Sequence, residues 1–193
     1  MLERADRSRL LGLARRSIAI GARGAGSGPL PQEQWPPALI EPRATFVTLT
    51  AGEELRGCRG TVEPQRPLFE DVWQNAWASA YTDPRFWPVA EDEVASLTVV
   101  ISVLSALEPI AARSETEVIE SLEPGLDGLV LRCGRSGATF LPVVWETLPD
   151  PRAFVTHLKT KAGWRSSFWS ADMLALRYRT ETFSSAAEPA LAA

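Results

Sequence analysis

The densest chemistry in this chain is a thiol between two guanidiniums, bracketed by glycines: Leu55-Arg56-Gly57-Cys58-Arg59-Gly60-Thr61. Cations beside a thiol favour its nucleophilic thiolate form. Arginine forks match the geometry of carboxylates and phosphates. Glycine lets the backbone turn sharply or come close to a ligand. Read this way, Cys58 is a candidate nucleophile. Arg56, Arg59 and the backbone at Gly57 and Gly60 would hold an anion. No Lys-Ser or Lys-Thr pair follows the glycines, so this is no Walker loop, and the dinucleotide-binding glycine spacing is absent too. A plainer reading is a strand ending in a tight turn with its cysteine tucked into the core, where free cysteine is often found.

A second stretch bears on the first. In Asp83-Pro84-Arg85-Phe86 the aspartate before proline favours a turn, because its side chain bonds amides two residues on. Arg85 then projects from a constrained corner. Between the two stretches, residues 67–81 predict a helix about 20 Å long. The six or so extended residues before it span a similar distance. The chain thus runs out and returns, bringing Asp83 back near Cys58. Arg56 and Arg85 would then flank the thiol, with Asp83 ordering Arg85, in a pocket suited to phosphate or carboxylate. The competing reading is that Asp83 and Arg85 only lock the corner. Nucleophilic chemistry also needs a base. His157, the single histidine, and Asp83 are the candidates, although His157 beside an apolar stripe also reads as a packing residue.

The elements that must position these residues follow from periodicity. Residues 4–20 predict an amphipathic helix with Leu10, Leu13, Ala14 and Ile18 on one face. Its arginines read as a solvated face or an attraction for an anionic partner. Residues 21–37, rich in glycine and proline, predict a flexible loop. Alternation predicts strands over 44–50, over 98–103 and over 174–183. The central stretch predicts a strand breaking at Gly57 or Gly60. A helix with Phe69, Trp73, Ala76, Trp77 and Ala80 inward is expected over 67–81, and short helices over 91–96 and 115–122. Strand 129–133 and its return over 138–141 form a hairpin, and the parity of Cys133 with Leu129 and Leu131 points it into the core. Asp150 caps a helix that carries Phe154, Val155, Leu158 and Ala162 inward and ends at Gly163. Residues 1–183 read as one domain and 184–193 as a disordered tail. The fold class is α+β, with a mainly antiparallel sheet packed by helices.

The chain has 193 residues, is 45% hydrophobic and carries a net charge of −4. That balance argues against broad nucleic-acid binding, which needs a basic footprint. Its two cysteines are far apart and its histidine is single, so no metal-ligand spacing exists, and the cofactor is left unknown. No segment reads as a signal peptide or a membrane span, and the expected setting is cytoplasmic.

Several ordered segments together resemble the AMMECR-type domain. They are Leu55-Arg56-Gly57-Cys58-Arg59-Gly60, Asp83-Pro84-Arg85-Phe86, Gly125-Leu126-Asp127-Gly128-Leu129, Thr139-Phe140-Leu141-Pro142, Leu148-Pro149-Asp150-Pro151 and Lys159-Thr160-Lys161-Ala162-Gly163. The opening Leu10-Leu11-Gly12-Leu13-Ala14-Arg15 fits as well, so the likeness runs from about residue 7 to 183. It implies an α+β fold of two lobes with the cysteine motif at a cleft. It also implies partners, a Memo-like protein and a radical SAM protein, in a cytosolic modification pathway. Where this chain has Arg59, members of that family usually carry an aliphatic residue. Three functions stay open. The first is a protein, catalytic or not, that binds a small anionic or nucleotide-like molecule at Arg56, Gly57, Arg59, Gly60, Asp83 and Arg85, with Cys58 as nucleophile or contact. The second is an adaptor docking through Trp87, Trp164 or Trp169. The third is an RNA binder using Arg56, Arg85, Lys159 and Lys161, which the acidic balance disfavours.

Overall fold

The computed structural model of the protein describes residues 1–24 and 26–186. They are α+β and divide into two compact units, Met1–Leu104 with Glu181 onward, and Ser105–Thr180. Each has its own sheet, where one mainly antiparallel sheet was expected. No helix among the described residues is long and apolar enough to cross a membrane.

The first unit holds helices α1 (Arg4–Ala22), α2 (Pro37–Ile40) and α3 (Leu68–Tyr81). Strands β1 (Thr45–Ala51), β2 (Glu54–Gly60), β3 (Thr98–Leu104) and β8 (Thr180–Ser184) form its sheet in the order β2-β1-β3-β8. Helix α1 buries Leu10, Leu13, Ala14 and Ile18 as its periodicity requires, with Leu11 and Ser17 beside them. Ser17 Oγ donates to Trp73 O at 2.8 Å, which binds α1 to α3. Residues 91–96 are a run of hydrogen-bonded turns and not the expected helix. The glycine and proline stretch is partly packed: Leu30 and Trp35 lie against the core, and the Trp35 ring stacks on Phe69 at 4.7 Å. Proline rings and an aromatic contact restrain a segment that composition alone marks as loose.

The buried face of α3 is partly polar. Asp71, Asn75 and Ser79, spaced four apart and so on one side of the helix, are buried with Val72, Trp73, Ala76 and Ala80. Asp71 Oδ2 accepts from Thr45 N at 2.9 Å and from Thr45 Oγ1 at 2.7 Å. Ser79 Oγ lies 2.7 Å from Val47 O and accepts from Arg59 N at 2.9 Å. These side chains bond the sheet backbone, so the helix sits directly on it. Gly57 makes this close approach possible: a Cβ there would stand 2.1 Å from Ser79 O.

The second unit contains β4 (Glu108–Pro109), α4 (Glu115–Ser121), β5 (Gly128–Cys133), β6 (Ser136–Phe140), a 3-10 turn over Pro142–Glu146, α5 (Pro151–Lys161) and β7 (Leu174–Tyr178). The sheet order is β4-β7-β5-β6. Leu129, Leu131, Trp145, Phe154, Val155 and Leu158 make its core, with the Trp145 and Phe154 rings stacked at 3.8 Å. Asp150 caps α5 by accepting from Ala153 N at 2.9 Å. Cys133 shares the parity of Leu129 and Leu131 but ends its strand, so it is half-buried and not in the core.

The alternating stretch expected as one strand over 174–183 is two strands, β7 and β8, in different sheets. Strand β8 runs to Ser184, and Ser185 N still donates to Val99 O at 2.9 Å. Of the tail expected over 184–193, residues 187–193 lie outside the described residues.

Candidate functional site around Cys58

Strand β2 lies at the edge of the first sheet. Its pairing with β1 runs Thr48 to Cys58 and Leu49 to Gly57, then steps to Thr50 with Leu55. Arg56 is the extra residue of a β-bulge, a feature that re-aims a side chain. The sheet edge would leave backbone donors open. Asp83 closes one of them: its Oδ2 accepts from Cys58 N at 2.9 Å.

Asp83 is the node of the site. It is buried, at 5% exposure. Besides the Cys58 amide it accepts from Arg85 N at 3.1 Å, Arg85 Nε at 2.9 Å and Arg85 Nη2 at 2.6 Å. The guanidinium holds the Asp83 carboxyl well below the usual carboxylate range, and the Cys58 and Arg85 amides add to this against the opposing effect of burial. A carboxylate so occupied is a poor proton acceptor, which removes Asp83 as a base. Its role is positional, since it sets Arg85 in place and ties the corner to β2. The same pairing raises the Arg85 pKa. The Arg85 side chain stays 54% exposed. On the other side of the thiol, Thr48 Oγ1 donates to Cys58 Sγ at 3.3 Å. The thiol itself is half-buried.

The remaining candidate residues are placed differently. The Arg56 guanidinium turns to Glu93, with Nε to Oε1 at 2.8 Å and Nη2 to Oε2 at 3.0 Å. It also donates to Trp87 O at 2.9 Å. Arg56 therefore clamps the 87–93 segment to the bulge, and its charge is matched by Glu93, whose carboxyl it pulls downward. Gly57 and Gly60 are packing positions: a Cβ on Gly60 would meet the Phe46 ring at 2.3 Å. Both lack positive φ, so the stretch is a strand to its end and makes no tight turn. Arg59 is exposed. His157 is exposed on α5, in the second unit. Lys159 is fully buried and bonded to Glu115, which takes it out of any basic surface. Trp87 is 88% exposed, whereas Trp164 and Trp169 pack against the second core. Glu93 and Ser79 escaped the sequence reading. The spacing of Asp71, Asn75 and Ser79 carried a signal for the latter.

The pairing has a pH signature. The Asp83 pKa is depressed in the fold, so its contribution to stability is present above the unfolded value near pH 4 and fades as pH falls below it. Asp83→Asn is expected to cost about 1.5–3 kcal/mol at pH 7. Native thiol labelling of Cys58 should speed up in the same variant as the edge loosens. Urea titrations at pH 7 and pH 3 check this: an equal gap between variant and parent at both pH values would refute the assignment.

The family model described as AMMECR1 matches residues 11–183. A protein of Methanothermobacter thermautotrophicus is 32% identical over 184 residues, covering 94% of this chain and 95% of its own. Protein MJ0810 of Methanocaldococcus jannaschii is 36% identical over 152 residues, covering 77% and 75%. Among solved structures, that of uncharacterized protein PH0010 from Pyrococcus horikoshii superposes with a TM-score of 0.86 at 31% identity, covering 95% of this chain and 93% of that one. With nearly its whole length matched in sequence and in fold, the chain belongs to the AMMECR1 family.

Proposed function

We propose that the protein is the AMMECR-type component, AmmeMemoRadiSam system protein A, of a cytosolic modification pathway that includes a Memo-like protein and a radical SAM protein. In this reading the face around Cys58 binds a small anionic or nucleotide-like ligand. The observation that supports it is the half-exposed Arg85 side chain near the half-buried Cys58, fixed by two side-chain bonds to Asp83. With Nε and Nη2 on Asp83, Nη1 is left to donate to one oxygen of a phosphate or carboxylate. Such a charge-assisted contact stabilises a complex by about 1.5–3 kcal/mol. Arg59 follows Cys58 in the strand and pairs with Val47 where Cys58 pairs with Thr48, so its exposed side chain leaves from the opposite face and makes no part of this one. Cys58 serves as nucleophile or ligand contact. Arg56, matched by Glu93, supports the fold of the site and not the ligand.

Calorimetric titration with ATP and with pyrophosphate tests the reading. Arg85→Ala should weaken binding about tenfold or more, and Arg56→Ala should lower thermal stability with a smaller effect on binding. No saturable binding of either probe, alone or with the two partner proteins, would end this reading. Turnover in that mixture, lost in Cys58→Ser, would make the protein an enzyme.

Trp87 favours a second reading, an adaptor. A tryptophan at 88% exposure whose backbone is clamped by Arg56 is a preorganised interface anchor. Here Trp87→Ala would abolish association with a partner and leave ligand binding unchanged.

A further inference from the structure

A second feature of the first unit lies outside the Cys58 site. Helix α1 carries Arg15, Arg16 and Ala19, and its C-cap is Arg23; these line a groove whose other wall is Glu91, Val94 and Ala95, with a volume of about 400 Å³. Arg15 and Ala19 are four apart and share one helix face. Two of the arginines have carboxylate partners near the surface. Arg16 Nη1 bonds Glu33 at 2.7 Å and Arg23 Nε bonds Glu91 at 3.3 Å, with the Arg16 side chain 58% exposed and those of Arg23 and Glu91 73% and 68% exposed. Exposed pairs of this kind are weak and readily exchanged. Arg15 differs. Its Nη2 donates to Leu97 O and to Ser185 Oγ, both at 3.0 Å. These are neutral acceptors. They fix the guanidinium at the groove, and no carboxylate among the described residues bonds it.

The spacing selects the kind of ligand. From Arg15 to the C-cap residue Arg23 the chain rises about 12 Å. One phosphate or carboxylate group cannot bridge that distance, whereas three or four residues of extended chain cover it. Between the cations the groove presents Ala19, Val94 and Ala95, small apolar surface suited to an aliphatic side chain. We propose that this groove docks an extended acidic segment of a partner protein, with carboxylates at Arg15 and at Arg16 or Arg23 and an apolar side chain over Ala19. Glu91 is the internal competitor: the incoming carboxylate displaces it from Arg23.

Fluorescence anisotropy at low ionic strength tests the proposal. The probe is a labelled short peptide alternating glutamate and leucine, compared with the same peptide bearing glutamines. Saturable binding of the acidic peptide is expected, lost with the glutamine peptide and weakening steeply with added salt. Arg23→Gln should weaken it about three- to fivefold, in line with an exposed charge contact. This side chain is mostly solvent-exposed, so the variant keeps the fold even if Arg15→Gln does not. Glu91→Gln should tighten binding by a similar factor, an effect that a merely structural Arg23–Glu91 pair would not give. Ala19→Asp should abolish it. No binding, equal binding of the glutamine peptide, or no response to both Arg23→Gln and Glu91→Gln would overturn the proposal. Full displacement by inorganic phosphate at matched ionic strength would mark a small-anion site and overturn the assignment to a peptide.

Discussion

Asp71→Ala is expected to destabilise the first unit by about 3–5 kcal/mol, the range for removing one member of a buried charged network. The carboxylate is 1% exposed. It accepts from the Thr45 amide at 2.9 Å and hydroxyl at 2.7 Å, from Asn75 Nδ2 at 2.8 Å, from Thr61 Oγ1 at 2.8 Å and from Arg66 Nε at 3.2 Å. One side chain thus joins α3 to the start of β1 and to the residue that follows β2. Alanine would leave the Thr45 amide buried without this acceptor, at about 1–3 kcal/mol for the unsatisfied group, while Asn75 Nδ2 keeps Thr45 O at 3.1 Å. The half-exposed Arg66 recovers its loss in water. Asp71→Asn keeps the shape but places an amide donor among donors, so it should recover only part of the loss. The midpoint of urea unfolding measures the effect, and melting should fall by about 2–4 °C for each kcal/mol in a chain of this size. A loss under about 1 kcal/mol would mean that the cost of burying the carboxylate nearly cancels its bonds.

The return of Asp83 to Cys58 could be read before any coordinates, because it depends only on helix length and chain reach. The local chemistry of Asp83 and Arg85 could be read too, being a matter of neighbours in the chain. The fate of Arg56 could not. Its partner Glu93 is 37 residues away, and the bulge that re-aims it arises from pairing with β1, which leaves no mark on the pattern of β2. Cys58 and Arg56 therefore looked alike as site residues, and the fold separates them. The split of the last strand was hidden for a related reason. Alternation continues through Arg179, while the hydrogen-bond partners change from one sheet to the other. Parity pointed Cys133 into the core, but burial depends on how far the strand continues, and Cys133 ends it half-buried.

Lys159 shows the same limit from the other side, since its neighbours Thr160 and Lys161 are exposed while it is fully buried. Its Nζ bonds Glu115 Oε2 at 2.7 Å, across from α5 to the first turn of α4. Glu115 keeps a side-chain exposure of 29%, so only the ammonium is fully removed from water. This asymmetry predicts an asymmetric response. Glu115→Ala strands a buried cation and should cost about 3–5 kcal/mol. Lys159→Met fills the same space with an apolar chain and should be close to neutral, or stabilising by about 1–4 kcal/mol. In the Lys159→Met background, Glu115→Ala should then cost less than about 1 kcal/mol, leaving only the loss of a favourable charge at a helix N-terminus. The difference between the two backgrounds is the coupling energy, and urea unfolding of the four proteins in the cycle gives it directly. Equal costs in both backgrounds would show that Glu115 acts through α4 alone and that Lys159 is satisfied without it.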